Sequence, residues 1–465
     1  MSSLPTVRHG STQVSTRYLK ATHAEDTIPE AVASRLEHFS QHLVGVYARP
    51  PFILSHGKGS WVWDTTDRKF LDFSAGIAVN ALGHGDTELA AIMADQAAKL
   101  VHTSNVFHNE WAGQLAALLV QLTKRDGGLG WSAGTETPAG GAPGAKVFFT
   151  NSGTEANEGA IKFARKVGKE RWAKATGGKW EDSPKTGLVC FEHAFHGRSM
   201  GSLSLTTKEK YQGPFRPLIP GVKVGRINVV EEVNSLIDEN TCGVFVEPVQ
   251  GEGGVRASSV EFLTALRKRC DEVGAVLIFD EIQCGLYRTG TLWAHSSLPA
   301  ECHPDIVTMA KPLANGFPIG AILTRDSIAE AMTVGSHGTT FGGSAIATRL
   351  AHNVLSRLSN PSFISETRTV AGHLSSRLEK LRQAFPEILS PEVRGRGFIV
   401  GLAFKDPAHP AQVVKMARER GVLLLTAGDD AVRLVPSLNV KGEEVDFAMD
   451  VVESCLSLLA SPSQQ

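Results

Sequence analysis

The sequence lacks most of what would tie a chain to nucleic acid, membrane, nucleotide or metal. Its 47 Lys and Arg almost balance 48 Asp and Glu, for a formal net charge of −1. No basic excess therefore marks a nucleic-acid or lipid surface. No run approaches the roughly 18 apolar residues of a membrane-spanning helix. Neither GxGxxG nor GxxxxGK(S/T) occurs, so the usual nucleotide cradles are missing. The six cysteines, Cys190, Cys242, Cys270, Cys284, Cys302 and Cys455, include no CxxC pair. Their scatter argues against a zinc site or a thioredoxin-type motif and for free thiols in a reducing compartment. His193 and His196 share a loop that supplies no further ligand set, and no metal is expected.

Acidic residues are also missing at the start, where none precedes Glu25 while Arg8, Arg17 and Lys20 stand among serines and threonines. Such a segment resembles a transit peptide and suits import into the mitochondrial matrix; a plain polar tail would leave the protein cytoplasmic.

What is present is a globular composition, 42% hydrophobic and 20% charged over 465 residues, enough for two or three domains. Residues 1–30 read as a flexible or transit-like segment and 31–84 as an N-terminal segment packing with a smaller domain. Residues 85–344 read as a large domain and 345–465 as a C-terminal small domain. Gly59–Phe73 predicts two short strands around a polar turn, and helical patterns follow over about 88–101 and 110–122. The glycine-rich stretch 125–145 predicts a surface insertion, and 176–185 a second polar patch. Apolar runs at 147–149, 187–191, 243–246 and 275–279 alternate with helical segments. That pattern fits strands buried on both faces of a mostly parallel sheet sandwiched by helices, an α/β fold. After Ala345 two long helical patterns precede shorter apolar runs, the mark of a smaller α+β unit.

Three places carry chemistry. Asn151-Ser-Gly-Thr-Glu-Ala-Asn-Glu158 follows an apolar run and opens a helix, with Ser152 and Glu155 at capping-box spacing. Such a turn is either an ordinary cap or a phosphate cradle, with Gly153 allowing close approach and Thr154 adding a hydroxyl. Asp280 and Glu281 end the run Ala275–Phe279; a carboxylate there can bind a metal, cap a helix or pair with a cationic ring nitrogen. Lys311 follows another apolar segment between Ala310 and Pro312. Desolvation lowers a lysine's pKa and makes its amine a nucleophile toward an aldehyde. A phosphate cradle, a carboxylate and such a lysine together are what pyridoxal phosphate requires of a protein.

With the motifs Ser152–Glu158, Phe195-His-Gly-Arg198, Glu247-Pro-Val-Gln-Gly-Glu-Gly-Gly254, Phe279-Asp-Glu-Ile-Gln283, Lys311 with Gly316–Ala321, and His337-Gly-Thr-Thr-Phe-Gly-Gly343, the chain resembles the class III aminotransferases of the ornithine and acetylornithine type. These have the fold-type I architecture of pyridoxal-phosphate-dependent transferases, and the match runs over about 45–455. The resemblance implies that Gly153 and Thr154 hold the cofactor's phosphate, joined by Thr340 of a second subunit in a homodimer. Phe195 would stack on its ring, Asp280 pair with its ring nitrogen, Gln283 contact its phenolic oxygen and Lys311 bond its aldehyde.

For substrates, the resemblance implies that Arg198 takes the α-carboxylate. Arg433 would take the carboxylate of glutamate or 2-oxoglutarate, masked by Glu252 when a neutral or cationic tail is bound. Thr339 would contact the substrate. Gly76, where ornithine enzymes carry a nearby tyrosine, would leave room for an acetylated α-nitrogen. The expected reaction is therefore transfer of the δ-amino group of N2-acetyl-L-ornithine to 2-oxoglutarate, as in arginine biosynthesis. An ornithine or 4-aminobutyrate ω-aminotransferase is the alternative enzyme, and a binding protein that kept the fold without its chemistry is the non-enzymatic one.

Overall fold

The computed structural model describes residues 18–25, 28–136 and 142–460. Most of the transit-like segment, residues 1–17, lies outside the described residues. Residues 18–25, expected to belong to a flexible lead, instead dock on the C-terminal part. Arg420 donates to the carbonyls of Tyr18 and Leu19, Arg418 pairs with Glu25, and the Thr22 and His23 amides donate to the Glu419 carbonyl.

A seven-stranded sheet organises the large unit. In spatial order its strands are Ala145–Thr150, Gly320–Arg325, Ile306–Met309, Val276–Asp280, Thr241–Val246, Gly187–Phe191 and Val222–Gly225. Only Gly320–Arg325 runs against its neighbours; the pairings among the other strands of the order are parallel. The continuous apolar runs arise because alternate side chains enter different cores. Leu188, Phe245, Ile278 and Ile306 pack on Ala156, Ala160, Phe163 and Ala164 of the helix Gly153–Thr176. Val189, Val244, Leu277 and Phe279 pack on Phe262, Leu263, Leu266 and Cys270 of the helix Val260–Val273. Helices thus cover both faces, which leaves the strand ends as the place for a site.

Two smaller sheets accompany it among the described residues. Trp61–Asp64 and Lys69–Asp72 pair around a turn, and Lys69–Asp72 takes Val422–Leu423 as a parallel neighbour, so the N-terminal segment and the C-terminal region share one sheet. The other sheet holds Leu389–Arg396, Ile399–Phe404, Ala431–Leu434 and Leu425–Ala427. The apolar stretch 393–404 is therefore a hairpin, turned at Gly397 with φ 62°.

The region expected as a surface insertion begins in the interior. Its first two residues end the helix Glu110–Asp126, and Gly127, Gly128 and Leu129 are buried. The Leu129 amide donates to His295 Nε2 (3.2 Å), and a Cβ at Gly128 would stand 2.6 Å from the Trp293 ring. Glycine is there for close packing as much as for a turn.

Candidate active site

Gly153, Thr154, Phe195, Glu252, Asp280, Gln283 and Lys311 come from the carboxyl ends of the parallel strands and the loops beyond them. Asp280 ends its strand and is 3% exposed. Its Oδ2 accepts from His196 Nδ1 and Asn157 Nδ2, both at 2.8 Å, and its Oδ1 accepts from the Ile282 amide at 3.0 Å. Asn157 is itself fixed, since its Oδ1 accepts from the Thr308 hydroxyl at 2.8 Å. Burial opposes a charge on His196, but the bond to Asp280 and its negative charge prevail and raise the imidazole's pKa. Sequence reasoning quoted both His196 and Asn157 inside motifs without giving either this task.

Lys311 follows the strand Ile306–Met309 at the start of a short 3-10 turn, partly buried. Among the described residues its amine makes no hydrogen bond or ion pair. Burial, then the nearby charge of Arg433, pull its pKa down to about 7 against the opposing pull of Asp280, Glu247 and Glu252. Near neutral pH a large fraction of the amine is therefore uncharged and nucleophilic. The loop after it is held by Asn315, in the left-handed region at φ 47°. Its side chain accepts from the Leu82 amide and donates to the Gly83 carbonyl.

The helix Gly153–Thr176 starts at the same end of the sheet. Ser152 caps it by accepting from the Glu155 amide, but Glu155 does not return the bond to Ser152; it accepts from the Asn151 amide instead. The box is thus displaced by one residue. The amides of Gly153 and Thr154 are left without an acceptor among the described residues, at the positive end of the helix dipole. A Cβ at Gly153 would meet the Ile282 side chain at 2.7 Å. The Thr154 hydroxyl lies 2.6 Å from that of Ser199, which donates to Glu158. Gly197 allows this approach, because a Cβ there would stand 2.3 Å from Thr154 Oγ1.

These observations fit pyridoxal phosphate: two free helix-terminal amides for a phosphate, a buried carboxylate for a ring nitrogen and an unpaired lysine for an aldehyde. Among the described residues no group of His, Cys, Asp and Glu could hold a metal ion.

A second constellation surrounds Arg433. Arg433, on the strand Ala431–Leu434 and 2% exposed, donates from Nη1 to Gln283 Oε1 at 2.7 Å and from Nη2 to Glu252 Oε2 at 3.1 Å. Gln283, expected at the cofactor, accepts from Arg433 here. Glu252 Oε1 accepts from the Tyr211 hydroxyl at 3.3 Å. The exposed Arg198 has no carboxylate partner among the described residues; its guanidinium carbon lies 3.6 Å from the centre of the Tyr211 ring and 5.6 Å from that of Phe195. Sequence reasoning missed Tyr211, which sits in a polar segment with no motif around it.

Glu247 was quoted but given no role. It is buried, accepts from the Phe195 amide at 3.1 Å, and burial raises its pKa. Thr339 accepts from Asn151 Nδ2 at 3.3 Å, while Thr340 is exposed and no hydrogen bond joins it to the Lys311 cluster among the described residues. Gly76 lies in a left-handed turn: φ is 45° at Ala75, 64° at Gly76, 66° at Ile77 and 62° at Ala78. Asp72 Oδ1 caps this turn through the Ser74 and Ala75 amides, and the buried Arg288 donates to the carbonyls of Ala78 and Pro436. Backbone conformation favours glycine at 76 independently of substrate space.

The aminotransferase class-III family model matches residues 45–456, and the chain belongs to that family. It is a transaminase with pyridoxal phosphate as its cofactor. Among its relatives is the mitochondrial acetylornithine aminotransferase of Neurospora crassa, 48% identical over 93% of this chain and 89% of that protein. The enzyme of the same name from Yarrowia lipolytica is 48% identical over 90% of this chain and 95% of that protein. Among solved structures, N-acetylornithine aminotransferase from Stenotrophomonas maltophilia aligns with TM-score 0.72 and 32% identity, covering 92% of this chain and 99% of that one. Ornithine aminotransferase from Toxoplasma gondii aligns with TM-score 0.80 and 28% identity, covering 92% and 96%.

Proposed function

We propose that this chain transfers the δ-amino group of N2-acetyl-L-ornithine to 2-oxoglutarate, giving the δ-semialdehyde and glutamate in mitochondrial arginine biosynthesis. The observation that carries the reading is its 48% identity to two mitochondrial acetylornithine aminotransferases, over nine-tenths or more of this chain. The ion pair between Glu252 and Arg433 supports the acceptor, because a switchable arginine suits an enzyme that alternates between a neutral tail and a second carboxylate.

When bound, pyridoxal phosphate supplies an aldehyde that exchanges amines and a ring that accepts electrons. Gly153 and Thr154 would hold its phosphate, Phe195 would cover its ring and Lys311 would bond its aldehyde. Asp280, locked by His196 and Asn157, would keep the ring nitrogen protonated. Lys311 Nζ would move the proton lost from the carbon that bears the transferred amine. Arg198 would take the α-carboxylate of acetylornithine, with Thr339 beside the substrate, and Arg433 would take a carboxylate of 2-oxoglutarate or glutamate once Glu252 swings away. In this reading 85–344 is the cofactor domain and 345–465, with 31–84, the small one. The working unit is a homodimer in which Thr340 reaches the phosphate of a second copy.

The test is kcat/KM for N2-acetylornithine, ornithine and 4-aminobutyrate, each with 2-oxoglutarate. A preference for acetylornithine of about tenfold or more is expected, the scale on which a shaped pocket discriminates. A preference for either other donor would overturn the donor assignment and leave the chemistry.

A further inference from the structure

Arg198 and Arg433, 235 positions apart in the sequence, meet through one side chain. Tyr211 stands on the short helix Glu209–Gln212, which Gln212 anchors by donating to the carbonyls of Leu203 and Ser204. One face of its ring lies under the Arg198 guanidinium at 3.6 Å. Its hydroxyl donates to Glu252 Oε1, and Glu252 Oε2 takes Arg433 Nη2. The Phe195 ring meets Tyr211 edge-on at 6.0 Å between centroids. A single residue thus touches both the guanidinium expected to take the α-carboxylate and the carboxylate expected to mask the second arginine.

The two Glu252 contacts are unequal. The bond to Arg433 is a charged pair at 3.1 Å, whereas the tyrosine bond is 3.3 Å, beyond the usual 2.5–3.0 Å of an O–H···O contact. While Arg433 neutralises Glu252, the hydroxyl adds little. A dicarboxylate that takes Arg433 for itself leaves Glu252 a carboxylate without its cation. The hydroxyl then becomes a donor to an unneutralised charge, and hydrogen bonds to charged groups are about twice as strong as neutral ones. Glu252 is partly solvated, its side chain 26% exposed, so it has room to turn toward Tyr211.

The geometry points to Tyr211 as a specificity-determining residue: its hydroxyl receives Glu252 when an acidic substrate displaces it from Arg433, while its ring holds Arg198 in place for both substrates. This rests on the assignment of Arg198, Glu252 and Arg433 to substrate carboxylates above. Removing the hydroxyl destabilises the open arrangement more than the closed one. The acceptor half-reaction, with 2-oxoglutarate, should therefore suffer more than the donor half-reaction.

The experiment compares holoenzyme carrying Tyr211→Phe, Glu252→Gln or both, with the two half-reactions followed separately and glutarate binding measured by calorimetry. Tyr211→Phe keeps the ring under Arg198. It should lower the acceptor half-reaction about tenfold relative to the donor half-reaction, mainly through KM, and weaken glutarate by a similar factor, the scale of a charge-assisted hydrogen bond. In the Glu252→Gln background the same substitution should change that ratio by less than about twofold, because no displaced charge remains to be received. Equal loss in both half-reactions, or an undiminished effect in the Glu252→Gln background, would overturn the inference and make Tyr211 a structural support. A wild-type enzyme that binds neither glutarate nor 2-oxoglutarate would overturn the underlying assignment of Arg433 instead.

Discussion

The two ends of the active site are built on opposite plans. Around Asp280 the carboxylate is buried and its partners are held in turn: His196 and Asn157 hold one oxygen, and Thr308 holds Asn157. Around Glu252 the two contacts to its carboxylate are longer, at 3.1 and 3.3 Å, that carboxylate is partly solvated, and Arg198 lies against aromatic rings with no carboxylate partner among the described residues. A cofactor stays through every turnover and suits a fixed cradle, whereas two substrates of different charge must share one pocket. The carboxylate that serves the kept group is thus locked by buried partners, whereas Arg433 and Glu252 hold each other in a pair that a substrate carboxylate can displace.

That comparison can be broken at several points. Lys311→Ala should cause the largest loss, about 10⁴-fold or more in transamination, since nucleophile and proton carrier go together; a single-turnover assay reads it. Asp280→Ala comes next. It leaves His196 buried beside an emptied position, and breaking such a pair costs about 3–5 kcal/mol of stability, measurable by urea unfolding of the cofactor-free protein; a loss under ~1 kcal/mol would mean that the buried network is not the rigid end.

Glu252→Ala unmasks Arg433, and should tighten 2-oxoglutarate while weakening discrimination against acidic donors, each by about tenfold. The KM values for the two substrates check this, and parallel changes in both would deny the switch. Smaller still, Gly76→Ala adds a side chain at φ 64° and should cost about 1 kcal/mol by thermal unfolding.

Lys311 also gives the cofactor end a pH dependence. Lys311 has a folded pKa of about 7, below its ordinary value of 10.5. Between these values the unfolded chain binds the extra proton, so this group's contribution to stability rises with pH across that window. Below about pH 7 the folded protein carries the full cost of a buried charge. Cofactor-free Lys311→Met should therefore exceed the wild type in stability most below pH 7, and the gap should shrink toward pH 10.5.

Much of this was legible in the sequence, for reasons the structure makes plain. Val276–Asp280 and Thr241–Val246 read as buried strands because both faces of each are covered. Val222–Gly225 gave no such signal: it is the edge strand, with only Gly225 buried. Lys311 and Asp280 stood out because each closes an apolar run and each sits in a motif. Tyr211 could not be read, since its meaning comes from Arg198, Glu252 and Arg433, which are brought to it only by the fold. The interior start of the 125–145 stretch was hidden for the converse reason, because glycine marks a turn and a close contact with the same letter.

The most direct test is the absorption spectrum of the purified protein, titrated in turn with N2-acetylornithine, ornithine and 4-aminobutyrate. The expected result is a yellow cofactor band that acetylornithine bleaches at the lowest concentration and that Lys311→Ala abolishes. A band that survives in Lys311→Ala, or that none of the three amines bleaches, would contradict it.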